Sequence, residues 1–76
     1  MAELSERQQT VLSYIRQCIQ TSNYPPTQDE IADEIGMSSI QPVNDTLKAL
    51  EREVYIMIRP YRPRGICLTQ KGKQAN

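Results

Sequence analysis

At 76 residues the chain has room for one small domain with a single modest core, and two domains would not fit. It contains no His, Trp or Phe, which removes the commonest residue of zinc and acid–base sites and leaves the core to Leu, Ile, Val, Met and parts of four Tyr. Nine Lys and Arg balance nine Asp and Glu, yet residues 1–53 hold all nine acids against four bases, a net of −5, while residues 54–76 hold five bases and no acid; such polarity presents a basic edge to phosphates at zero net charge.

Leu4-Ser5-Glu6-Arg7-Gln8 reads as a helix start, with Ser5 as N-cap and Gln8 able to return the bond in a capping box. Val11, Leu12, Ile15, Cys18 and Ile19 then form one apolar stripe at helical spacing. Tyr24-Pro25-Pro26 stops the helix, because proline lacks an N–H and restricts the residue before it. A short second helix opens at Thr27 with Glu30 as box partner, turns Ile31, Ala32 and Ile35 inward, and stops at Gly36. Ser39 is the expected N-cap of a third helix, with Ile40, Gln41 and Pro42 in its first turn and Val43, Leu47, Leu50 and Val54 facing inward.

From Tyr55 the period becomes alternating, with β-prone runs at 55–59 and 64–69 flanking Pro60-Tyr61-Arg62-Pro63. This predicts a hairpin with a stiff, projecting loop. Residues 1–70 make the domain and the polar stretch 71–76 is expected to be a fraying tail. The fold class is therefore mainly α with a small β-hairpin, a three-helix winged helix-turn-helix, a layout that serves duplex DNA and also protein partners.

Four segments carry a resemblance along nearly the whole chain: LSERQQTVL, YPPTQDEIADEIGM, LKALER and RGICL. They resemble the opening helix, the PPT-x-x-EIA-x-x-LG segment, the end of the recognition helix and the RGI-x-L closing strand of the N-terminal DNA-binding domain of the LexA repressor family. The resemblance implies that the third helix enters the major groove and that base-contacting positions fall on Ser39, Gln41, Pro42, Asn44 and Asp45. The amides of Gln41 and Asn44 suit a base edge, offering donor and acceptor together. Asp45 accepts only, so it needs a cytosine amino group or a water, or else is a solvated acid. Ser39 has a second reading as a cap and Pro42 as a helix starter.

Arg7, Arg52 and Arg64 match backbone-facing positions of that family, Arg64 being its wing arginine. Arg59 and Arg62 are further wing bases, read as phosphate or minor-groove contacts or as solvated charge, and Tyr61 either lies on a sugar or packs on the wing. The chain departs from the family where Asn44 and Asp45 replace its usual glutamates, which bears on its CTGT-type half-site. It departs again where Glu53 stands for a base and Val54 for a turn glycine. Neither the self-cleaving Ser-Lys half of the family nor its dimer interface is found in these 76 residues.

The expected function is a sequence-specific double-stranded DNA-binding regulator, a LexA-like repressor on an inverted-repeat operator, forming at most a weak homodimer on DNA. The alternative is a protein-interaction module, an anti-repressor or partner of a host regulator, using the acidic helices. No nucleophile–base pair or ligand set points to catalysis, so no metal, cofactor or small-molecule substrate is expected. Lacking a bilayer-length apolar run and a signal-peptide layout, the protein is expected in the cytoplasm, bacterial or phage-encoded and nucleoid-associated, with Cys18 and Cys67 as thiols.

Overall fold

The computed structural model describes residues 4–59, 61, 62 and 64–74. In chain order these form α1 (Glu6–Ser22), α2 (Gln28–Ile35), α3 (Gln41–Arg52), β1 (Ile56–Ile58), β2 (Ile66–Leu68) and α4 (Gln70–Gln74). Three helices followed by an antiparallel hairpin make the expected winged helix-turn-helix.

Local chemistry sets the helix ends. Ser5 Oγ accepts from the Gln8 N–H at 3.2 Å while Gln8 Oε1 accepts from the Ser5 N–H at 2.8 Å. Thr27 and Glu30 repeat this box at the start of α2, at 3.2 and 2.9 Å. α1 ends on Asn23 in the left-handed region and α2 on Gly36 at φ 77. The start of α3 differs from expectation: its N-cap is Ile40, not Ser39, and no side chain caps it. Isoleucine has no polar side-chain atom to accept from the first N–H groups, and the Ile40 carbonyl accepts the Asn44 N–H at 2.8 Å, which sets the boundary one residue past Ser39. Pro42 occupies the first turn, where a missing N–H costs nothing, and its carbonyl accepts the Thr46 hydroxyl at 2.8 Å.

One stripe from each helix builds the core: Val11, Leu12 and Ile15 from α1, Ile31 and Ala32 from α2, and Val43, Leu47 and Leu50 from α3, closed by Ile56 and Ile66 of the hairpin. Fully burying each Leu, Ile or Val contributes about 1.5–3 kcal/mol, so this cluster fixes how α3 sits on the other helices. Pro26 is fully buried as well, so the residue that stops α1 also fills the interior. Cys18 and Cys67 are half-buried free thiols. The hydrogen bond between Tyr14 and Cys18, together with burial, pushes the Tyr14 hydroxyl up to about 12.

The hairpin pairs Ile56 with Leu68, Met57 with Cys67 and Ile58 with Ile66. Its regular strands are shorter than the alternating runs, and single bonds from Arg59 N–H to the Gly65 carbonyl (2.8 Å) and Thr69 N–H to the Tyr55 carbonyl (3.2 Å) continue the pairing. Pro60 and Pro63, on which the stiff-loop expectation rests, lie outside the described residues.

Two expectations are corrected here. Val54 does not continue the inward stripe: α3 ends at Arg52, Val54 takes φ 65 to turn the chain into β1, and its side chain is 58% exposed. The polar stretch after Leu68 is not wholly a fraying tail either, since residues 70–74 form α4 and Gly72 is buried there. Lys71 Nζ donates to the Glu53 carbonyl at 2.8 Å and lies 4.4 Å from the Tyr55 ring centre. Residues 75 and 76 of that tail lie outside the described residues.

Candidate nucleic-acid interface

Burying Val43, Thr46, Leu47 and Leu50 leaves the opposite face of α3 to solvent. At about 100° per residue that face gathers Gln41, Asp45, Lys48 and Arg52, all exposed, with half-buried Asn44 at its edge. Ser39 stands exposed just before the helix, its hydroxyl not spent on a cap. Gln41 Nε2 donates to Asp45 Oδ1 at 3.3 Å, which turns the Gln41 amide along the helix and occupies one carboxylate oxygen. Of the five expected base-contacting positions, Ser39, Gln41, Asn44 and Asp45 therefore lie on or beside one accessible surface, while half-buried Pro42 contributes mainly its backbone geometry. Lys48, which sequence reading left unassigned, lies in the middle of this face; its spacing from Gln41, Asp45 and Arg52 was the available signal.

Grooves flank α3 on both sides. One, toward the first turn of α1, is lined by Ser5, Glu6, Arg7, Gln8, Asp45, Thr46 and Ala49. The other, toward the hairpin, is lined by Thr27, Gln28, Ile40, Ile58 and Arg62 among others. Arg7 and Arg62 thus border the exposed face from opposite directions, and Arg52 ends it. Arg7, Arg52, Arg59 and Arg62 are exposed and make no ion pair among the described residues. The Tyr61 ring is fully exposed, so it does not pack on the wing.

Arg64 is placed differently. Its guanidinium forks onto Glu30, with Nη1 to Oε1 at 2.7 Å and Nη2 to Oε2 at 3.0 Å, and Nη1 also donates to the Pro25 carbonyl at 2.9 Å. The same group lies 4.5 Å from the Tyr24 ring centre. These bonds, with the Thr27 N–H, hold the Glu30 carboxyl down at about 2 and raise the Arg64 guanidinium.

Residues 1–65 match the family model described as the LexA DNA binding domain. The chain belongs to the LexA DNA-binding domain family. It is 45% identical over 67 residues to the LexA repressor of Alcanivorax borkumensis, a match that covers 88% of this chain and 33% of that protein. The LexA repressor of Sorangium cellulosum is 47% identical over 66 residues (87% and 29%), and that of Staphylococcus aureus is 41% identical over 66 (87% and 32%). The chain spans about a third of the length of the curated LexA relatives it matches. What it shares with them is the DNA-binding domain. Among the described residues no helix is long and apolar enough to cross a membrane.

Proposed function

We propose that this chain represses transcription by binding duplex DNA sequence-specifically, reading bases with Ser39, Gln41, Asn44 and Asp45 at the start of α3. Pro42, half-buried in the first turn of α3, is assigned at most a nonpolar contact beside these residues. Arg7, Lys48, Arg52, Arg59 and Arg62 are assigned to the phosphate backbone, where each contact adds affinity without specifying sequence. The observation that carries this reading is the exposed polar face of α3, bordered on opposite sides by Arg7 and Arg62, which make no ion pair among the described residues. Two copies on an inverted repeat, in the cytoplasm and without catalysis, complete the proposal. Fluorescence anisotropy with a labelled duplex tests it. Affinity should fall steeply as salt is added, since bound cations return to the DNA when the protein leaves. The other reading, a protein-binding module, draws on the exposed acids Asp29, Asp33 and Glu34 of α2; it is supported instead if duplex binding is absent or barely responds to salt.

A further inference from the structure

We infer that Arg64 serves DNA binding as a positioning residue, holding the hairpin at a fixed angle to the helix-turn-helix through Glu30, Pro25 and Tyr24, rather than as a phosphate contact. This rests on the DNA-binding reading above. Three hydrogen bonds already draw on the five donors of the guanidinium, and one of its faces lies on an aromatic ring. To reach a phosphate it would have to leave a bidentate carboxylate partner, the most directional ion pair available to arginine. Among the described residues Arg59 and Arg62, on the same hairpin, have no such carboxylate partner to leave.

The placement of the fork gives it leverage. Arg64 stands at the entry to β2, Tyr24 and Pro25 in the link between α1 and α2, and Glu30 in the first turn of α2. Glu30 also closes the capping box with Thr27, so one carboxylate ties the start of α2 to the wing. Thr27 and Gln28 share a groove with Arg62 and with Ile40 at the start of α3. The fork therefore sets how far the Arg62 side of the wing stands from the recognition helix, and both must match one duplex at once. Freed from it, the wing samples other angles, and apparent affinity drops by the fraction of molecules left in the binding-competent arrangement.

The sign of one substitution separates the two roles. Glu30→Gln keeps an oxygen for the Thr27 N–H but removes the charge that grips Arg64. A phosphate-seeking Arg64 would then be released and an anion removed, so binding would tighten; a positioning Arg64 would lose its anchor, so binding would weaken. Anisotropy titrations over a salt series compare the native chain with Glu30→Gln, Arg64→Ala and the charge-preserving Arg64→Lys, with circular dichroism confirming that each is folded. The expected result is a loss of about tenfold for all three, the size that follows if about a tenth of the wings stay correctly placed, with the slope of log affinity against log salt unchanged. Tighter binding by Glu30→Gln, native-like binding by Arg64→Lys, or a slope lowered by about 0.9 in Arg64→Ala, the share of one phosphate contact, each overturns the inference. A native chain that binds no duplex overturns the DNA-binding reading itself, and this inference with it.

Discussion

The Val54 carbonyl accepts the hydroxyl of Thr69, and this bond closes over a turn in which Val54 itself stands at φ 65 with its side chain largely in solvent. A β-branched residue in the left-handed region is strained by roughly 1–2 kcal/mol, and an exposed side chain returns little of that through packing. Glycine relieves the strain but gives up some unfolded-state advantage. Val54→Gly should therefore raise stability by about 0.5–1 kcal/mol, read as a higher denaturant midpoint with unchanged slope. A lower midpoint would show that the Val54 side chain packs in a way its exposure does not reveal.

The contrast between this turn and the helix starts explains what the sequence could disclose. The boxes Ser5–Gln8 and Thr27–Glu30, the stop at Gly36 and the buried positions Val11, Leu12, Ile15, Ile31, Ala32, Val43, Leu47 and Leu50 are local patterns, complete within a few residues, and they stand in the structure as read. Ser39, Val54 and the segment after Leu68 were misread because their conformations are decided elsewhere. The first carbonyl to accept in α3 is that of Ile40, one residue past Ser39, and the chain reverses at Val54 to reach β1. Lys71 finds the Tyr55 ring and the Glu53 carbonyl 18 residues back. The site divides in the same way: the exposed face of α3 follows from helical spacing, whereas the partner of Arg64 lies 34 residues away, and no spacing rule links them.

The Glu30–Arg64 fork also makes stability depend on pH in a defined direction. Glu30 is held at about 2, against an ordinary 4.5, chiefly by its hydrogen bonds from Arg64 and then by the Thr27 N–H. A folded value below the unfolded one means the contribution is fully present above about 4.5 and is lost as pH falls toward about 2. Melting temperature should decline across that window in the native chain and decline less in Glu30→Gln. Because both side chains are substantially exposed, added salt should shrink the difference between them.

Arg59 and Arg62 should behave as phosphate contacts do. Replacing either with Ala is expected to weaken binding to all duplexes alike and to lower the salt slope by about 0.9. Anisotropy on an operator and on an unrelated duplex checks this, and a loss confined to the operator would assign these residues to base or groove recognition instead.

One α3 covers only a few base pairs, so tight specific binding calls for two half-sites. Among the described residues Tyr24, Ile40, Val54, Met57 and Tyr61 are the exposed large hydrophobic side chains, and scattered apolar residues at a surface are ordinary. Sedimentation should show a monomer in dilute solution, one copy on a single half-site and two on a paired site, with the DNA supplying the effective concentration. A stable dimer without DNA would contradict this.

Selection of bound sequences from random duplex DNA tests the central claim, that the exposed face of α3 reads base sequence, most directly. The native chain should enrich one motif, present as two inverted half-sites about 10–10.5 base pairs apart. Gln41→Ala and Asn44→Ala should each relax that motif at one or two base pairs, with a loss of roughly 1–3 kcal/mol for each bidentate contact removed. Enrichment of no motif by the native chain, or of the same motif by both variants, would contradict the account and take base reading away from α3.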